Sequence, residues 1–279
     1  MTLSRAAIHA LLADHGLRPS RALGQNFVAD ANTVRRIARL ADLRPGSPVV
    51  EIGAGFGSLT LALAETGARV LAVEKDRRLV PVLREQVAGL DVEVLEGDAL
   101  ALDLRRALSA RAGGASWTLV ANLPYNVAVP VVADVLDDVP LVGRLLVMVQ
   151  REVGERLAAG PGTDAYGAVS VKVAYHAVAK VVGRVPSTVF VPQPKVESAL
   201  VAIDRRDRPA VDPAVVGPDR LFEVVRAGFA QRRKMLRRAL QGVVDAAAFD
   251  AAGIDPSTRA EQLSVEQWGR LAAWGGARS

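Results

Sequence analysis

The chain has no cysteine, which excludes a disulfide framework and a thiolate zinc site. Its three histidines, His9, His15 and His176, are scattered along the sequence and supply no imidazole ligand set, so no metal centre is expected. No uninterrupted apolar run reaches the roughly 18 residues that suggest a membrane span. The first residues carry Arg5, His9, Asp14 and His15, where a secretion signal has a continuous apolar centre. The expected location is the cytoplasm, with no membrane partner. What is present is a chain of 279 residues, half of them hydrophobic. That is enough for one large and one small domain, each with its own core. The net charge of +5 leans modestly toward an anionic partner.

Short apolar runs alternate with helical patterns. Residues 1–25 read as a short helix and a basic, extended arm holding Arg18 and Arg21. A helix is expected from about Asp30 to Ala41, with Asp30 as its cap and Val34, Ile37 and Leu40 on its apolar face. Strands are predicted at 48–52, 69–74, 92–96, 118–121 and 144–150, with helices at 58–66, 77–88 and 131–136. Two more strands are predicted, at 169–179 and 198–203. Strands alternating with helices predict an α/β fold with a mostly parallel, Rossmann-like sheet covered on both faces. The charged stretch 205–218 reads as a linker, and helices are expected after it. The predicted domains are therefore 1–206 and a small all-α C-terminal domain at 207–279.

Chemistry concentrates at the strand ends. Glu51-Ile52-Gly53-Ala54-Gly55-Phe56-Gly57 joins a strand to a helix, and its glycines let backbone approach a ligand beside a helix start. By itself such a turn serves geometry as often as binding. Glu74 closes the next strand, where a carboxylate can accept from both ribose hydroxyls. Asp98, followed by Ala99, ends the third strand and can accept from an adenine amine. A lone acid at a strand end is usually a turn residue or cap. Three ligand-compatible groups at successive strand ends describe an adenosine-containing ligand at the switch point of the sheet. NAD and S-adenosylmethionine both fit to this point. Asn122-Leu123-Pro124-Tyr125 after the fourth strand changes the balance. An adenine amine is a poor nucleophile because its lone pair is delocalised. The Asn122 amide oxygen and the Pro124 carbonyl can accept its two hydrogens and direct the lone pair at an electrophilic methyl group. Tyr125 can stack on the base. The plain alternative is a turn, but a dehydrogenase has no use for this acceptor pair, and Ser58 stands where the dinucleotide fingerprint wants its third glycine.

These residues resemble the ribosomal RNA adenine N6,N6-dimethyltransferase family over nearly the whole chain. The resemblance runs through 23–30 (LGQNFVAD), the glycine loop, Val73–Asp76, Gly97–Ala99 and Asn122–Asn126. It continues through 149–153 (VQREV), 165–167 (AYG), 192–198 (PQPKVES) and 231–234 (QRRK). It implies S-adenosylmethionine as methyl donor, with Asn26, Val28, Gly53, Glu74, Asp98 and Asn122 lining its site and Asn26 near the methionine end. Gly55 and Ala99 belong to the same motifs. Val28 stands where the family usually has leucine. Phe190 matches a family aromatic expected to sandwich the target base opposite Tyr125. Between prolines it reads as an exposed aromatic on a stiff loop, with a core plug as the alternative. Phe229–Arg237, Gly253–Pro256 and Arg259–Ser264 look like the small-subunit branch, which dimethylates two adjacent adenosines in the 3′-terminal hairpin of 16S rRNA during late assembly of the small subunit. The other branch dimethylates one 23S rRNA adenosine and confers macrolide resistance. An assembly factor that mainly binds immature small subunits and an NAD-dependent oxidoreductase are the remaining alternatives. A monomer is expected.

Residues 226–238 hold Arg226, Arg232, Arg233, Lys234, Arg237 and Arg238 and no acid. On one helix, Phe222, Val225, Phe229, Leu236, Leu240 and Val243 make an apolar stripe beside the cations. An ordinary solvated face mixes signs, so this stretch predicts a phosphate-binding surface for RNA, with Arg226, Arg233, Lys234, Arg237 and Arg238 as its contacts. Folded RNA is held through phosphates and shape, with the target base splayed out.

Overall fold

Residues 2–111 and 113–274 are described in the computed structural model. The chain begins with α1 (Arg5–Asp14), capped by the Ser4 hydroxyl, and the two-residue strand β1 (Phe27–Val28). Next come α2 (Ala31–Leu40), β2 (Pro48–Ile52), α3 (Ser58–Ala64), β3 (Arg69–Glu74), α4 (Val80–Gln86), β4 (Val92–Glu96) and α5 (Leu104–Ser109). They are followed by β5 (Trp117–Asn122), α6 (Ala128–Asp138), β6 (Val142–Gln150), α7 (Arg151–Leu157), α8 (Ala168–His176), β7 (Ala177–Val185), β8 (Phe190–Val191) and β9 (Ser198–Arg205). The last helices are α9 (Pro218–Ala230), α10 (Leu236–Ala239), α11 (Ala246–Ala252) and α12 (Val265–Ala273).

The seven-stranded sheet runs in the order β4-β3-β2-β5-β6-β9-β7. Its β4-β3-β2-β5-β6 part is parallel, and β9 pairs antiparallel with β6. Strands β2 and β5 are covered on both faces and read as nearly unbroken apolar runs for that reason. From β2 the chain winds outward to β4, then returns to β5 and winds the other way. The crevice at the carboxyl ends of β2 and β5 is therefore the switch point, where open α/β sheets bind ligands.

By contact density the chain forms two units, residues 2–154 with 180–204 and residues 155–179 with 205–274. The expected boundary after 206 falls at one of three crossings. The second unit also takes 155–179, which the sequence reading had left in the first domain. The predicted strand at 169–179 is instead α8 followed by the start of β7. Its alternating valines suit a strand, but Val171 and Tyr175, four residues apart, face one helical core with Leu221, Phe222 and Trp268. Ser170 seals the helix start: its hydroxyl accepts from Gly167 N–H and donates to the Arg156 carbonyl.

The single basic helix is also corrected. Helix α9 stops at Ala230, and residues 231–235 form a turn. That turn is pinned by the Met235–Arg259 bridge and by Leu236 N–H donating to the Thr258 carbonyl. Phe222, Val225, Leu236 and Leu240 still share one core. Arg226, Arg233, Lys234, Arg237 and Arg238 are all exposed. Arg232 is engaged by Glu261 and the Asp164 carbonyl. No helix among the described residues is long and apolar enough to cross a membrane.

Candidate active site

A cavity of about 160 Å³ opens at the switch point. It is lined by every residue expected to hold the donor or the target base: Asn26, Val28, Gly53, Gly55, Glu74, Asp98, Ala99, Asn122, Pro124, Tyr125 and Phe190. All lie in the first unit.

The glycine loop and Glu74 are built as one piece. Glu74 is 6% exposed, and its two carboxylate oxygens accept from Gly55 N–H (2.7 Å) and Asp76 N–H (2.8 Å). Each oxygen retains acceptor capacity for a ribose hydroxyl. Burial pushes the Glu74 carboxyl above its ordinary pKa, against the opposing pull of those backbone donors. Gly55 has φ +60°, and a Cβ there would stand 3.0 Å from the Phe27 ring, so the close approach of β1 needs glycine. Asp98 is ion-paired: Lys75 Nζ lies 2.7 Å from one oxygen and Leu100 N–H donates to the other. The lysine holds its carboxyl below the usual range. Asp98 keeps further lone pairs able to accept from a ligand in the cavity.

Glu51 belongs to this cavity and has no assigned role in the sequence reading. It is fully buried, takes a 2.5 Å hydrogen bond from the Thr60 hydroxyl, and is raised to about 8 by burial, so it is protonated at neutral pH. Its only sequence signal is its place two residues before Gly53.

The arm before β1 organises the other side. Instead of staying extended, residues 20–25 close a turn through Gly24 N–H to the Arg21 carbonyl and Gln25 N–H to the Ser20 carbonyl. Gln25 Nε2 donates to Asp76 (2.9 Å), whose carboxyl is held down at about 2 by the Arg78 guanidinium. Gly24 packs against the turn after β5, where a Cβ would meet Pro124 Cβ at 3.0 Å. Strand β1 pairs antiparallel with β8, Val28 opposite Phe190. Arg5 of α1 donates to the Thr188 and Phe190 carbonyls.

Asn122 ends β5. Its Nδ2 donates to the Asn26 carbonyl at 3.0 Å, so the amide oxygen keeps its acceptor capacity for a ligand in the cavity. The Pro124 carbonyl, expected as the second acceptor, is committed elsewhere. It accepts from Val127 N–H and Ala128 N–H, both at 3.1 Å, at the start of α6, which uses both lone pairs. The Leu123 carbonyl, one residue earlier and also at the cavity, carries no hydrogen bond among the described residues. Phe190 is 1% exposed and packs with Val28, Val120 and Leu146. The exposed aromatic of the sequence reading is a core residue that reaches the cavity wall. Tyr125 is half-buried, its hydroxyl 3.0 Å from that of Ser198.

This sheet order, with glycine loop, ribose-type acid and amide-bearing turn at successive strand ends, defines a Rossmann-like methyltransferase. The profile of the ribosomal RNA adenine dimethylase family matches residues 17–275, and the chain belongs to that family. It is similar to the ribosomal RNA small subunit methyltransferase A of Kineococcus radiotolerans, 49% identical with 96% of this chain and 91% of that protein covered. The protein of the same name from Streptomyces coelicolor is 48% identical, with 97% and 96% covered. Among solved structures, the 23S rRNA methyltransferase ErmE superposes with TM-score 0.69 at 29% identity, covering 88% of this chain and 98% of that one. A dimethyladenosine transferase from Plasmodium falciparum shares the fold, with TM-score 0.73 at 21% identity and 87% and 94% covered.

Proposed function

We propose that this protein transfers methyl groups from S-adenosylmethionine to the exocyclic amines of two adjacent adenosines in the 3′-terminal hairpin loop of 16S rRNA. The product is N6,N6-dimethyladenosine, made in the cytoplasm by a monomer acting on the immature small subunit. The observation that carries the reading is the fixed Asn122 amide, whose nitrogen is spent on the Asn26 carbonyl and whose oxygen is left for a ligand. The small-subunit assignment rests on relatives of that name at nearly half identity.

The donor, when bound, supplies an electrophilic methyl on a sulfonium. Glu74 holds its ribose, Asp98 and Ala99 its adenine, and Asn26, Val28, Gly53 and Gly55 the rest. Asn122 Oδ1 and the Leu123 carbonyl accept the two hydrogens of the target amine, turning its lone pair out of conjugation. Pro124 contributes rigidity: its ring fixes the turn and its carbonyl starts α6. Tyr125 stacks on the base, and Phe190 backs the wall opposite. The bound donor would supply the methyl and keep the electron pair of its C–S bond, and bulk water would take the amine proton; the part of this chain is to aim the amine's lone pair. Positioning carries most of the rate effect.

Radiolabelled transfer to purified small and large subunits lacking the modification tests this. Dimethyladenosine in small-subunit RNA alone is expected. Label in large-subunit RNA would move the chain to the 23S branch, and no label with donor binding intact would leave a binding role in assembly.

RNA binding is assigned to the exposed cations of the second unit. Arg226, Arg233, Lys234 and Arg238 have no side-chain partner among the described residues. Arg237 lies near the Asp255 carboxylate and helps to hold it ionised. Neutralising Arg233 and Arg237 together is expected to weaken RNA binding and to lower the slope of log K against log salt by about 1–2. A filter-binding series over salt reads this, and an unchanged slope would remove these residues from the RNA face.

A further inference from the structure

Ser198 opens β9 and is 1% exposed. The five residues after it, Ala199 to Ile203, are all buried and apolar. A hydroxyl in such a run costs desolvation unless it is bonded. Its hydroxyl is bonded to Tyr125 alone, at 3.0 Å, among the described residues. The backbone at Ser198 is held in the antiparallel ladder opposite Gln150, and Arg151 N–H donates to the carbonyl of the preceding Glu197. Ser198 is thus a fixed post.

Tyr125 is its opposite. It sits in the short turn between β5 and α6, half-buried, and its phenol has no other hydrogen bond among the described residues. The turn backbone on either side is secured, with Leu123 N–H on the Met148 carbonyl and the Pro124 carbonyl on α6. What remains free is the ring, with two side-chain torsions. One hydrogen bond at its far end holds the phenol oxygen in place and so fixes the first torsion and the direction of the ring axis.

We infer that Ser198 is a positioning residue for the methyl transfer, anchoring the far end of Tyr125 and so the place of the ring on which the target base stacks. The inference rests on the reading of Tyr125 as that stacking platform. Ser198, unlike Tyr125, is not among the residues that line the cavity. Its effect passes through the phenol, so it bears on orientation of the base and leaves the donor site as it is.

The test is a double-mutant cycle on the full chain, with small subunits lacking the modification as substrate. Four quantities are measured: kcat, KM for the subunit, donor Kd and thermal midpoint. Ser198→Ala is expected to lower kcat by about ten- to a hundredfold, with donor Kd within about twofold of the parent. Tyr125→Phe removes the same bond from the partly exposed side, leaves the buried Ser198 hydroxyl unpaired at a stability cost that the thermal midpoint reads, and is expected to give a similar loss of kcat. The double variant is expected to be no slower than the slower single one, because both remove one contact. Losses that multiply, or parental kcat in both single variants, overturn the inference. Tyr125→Ala separates the two readings. If it is nearly inactive while Ser198→Ala and Tyr125→Phe run at the parental rate, the positioning role fails and the stacking role stands. If Tyr125→Ala is itself fully active, the stacking role fails and takes the positioning role with it.

Discussion

Asn122→Ala lowers methyl transfer by on the order of 10²–10³-fold, the cost of deleting one preorganised polar group aimed at the reacting centre. Donor affinity stays within about tenfold, or about 1.4 kcal/mol, because the proposed ribose and adenine contacts, Glu74 at the end of β3 and Asp98 just after β4, are on other strands than Asn122. Asn122→Asp is not a conservative substitute. It removes the Nδ2 that donates to the Asn26 carbonyl at 3.0 Å and leaves two acceptors facing each other, so the side chain turns away. Both variants are read by single-turnover transfer with isothermal titration of the donor. A loss of donor binding as large as the loss of transfer would contradict the acceptor role of the amide.

The second large effect is on the donor itself. Glu74→Ala is expected to weaken binding about a hundredfold or more, since hydrogen bonds to a charged acceptor contribute about 1.5–3 kcal/mol each and the proposed role gives Glu74 two ribose hydroxyls. The pH dependence has a definite sign. Burial raises the Glu74 carboxyl, so the protein takes up its proton at a higher pH than an ordinary glutamate does. Protonation spoils one acceptor, and donor affinity falls as pH is lowered through that raised value. Glu51 titrates near 8 in the same cavity, and Asp76 beside Glu74 stays ionised down to about 2. Comparing the parent with Glu74→Gln isolates the Glu74 contribution: the parent loses affinity on acidification, and the variant starts weaker and loses less. Parallel pH profiles would mean that Glu74 does not hold the ribose as a carboxylate.

The parts of this molecule legible in the sequence are those with a short-range signature. Strands β2 to β6 are apolar runs ending in glycine, acid or amide, and each lies within a few residues of its expected place. The candidate residues Gly53, Glu74, Asp98, Asn122 and Tyr125 follow from their positions at those strand ends, whereas Asn26, Val28 and Phe190 came from the family resemblance. Long-range partners had no such signature. Nothing in Leu23-Gly24-Gln25-Asn26 says that Gln25 meets Asp76, 51 positions away, or that the Asn26 carbonyl meets Asn122 after 96. The choice between the Leu123 and Pro124 carbonyls depends on where α6 begins, a matter of one residue. The valines of 169–175 suited a strand until the core of the second unit was known. The basic stretch looked like one helix because its apolar spacing survives a turn that only the Met235–Arg259 bridge reveals.

The second unit is assembled from two stretches of chain separated by the last strands of the first, and this sets a timetable for synthesis. When a ribosome has delivered residues up to Asp204, every strand of the sheet exists, β9 arriving late to lie between β6 and β7. Helix α8, made earlier, still lacks its partners α9 and α12. About 70 further residues must be added, a delay of roughly 4–14 s at translation rates of about 5–20 residues per second. Through that interval Tyr166, Val171 and Tyr175 have no core to enter, and the nascent chain offers a sticky apolar segment flanked by folded sheet. A chain ending near residue 206 would keep that segment without its core permanently.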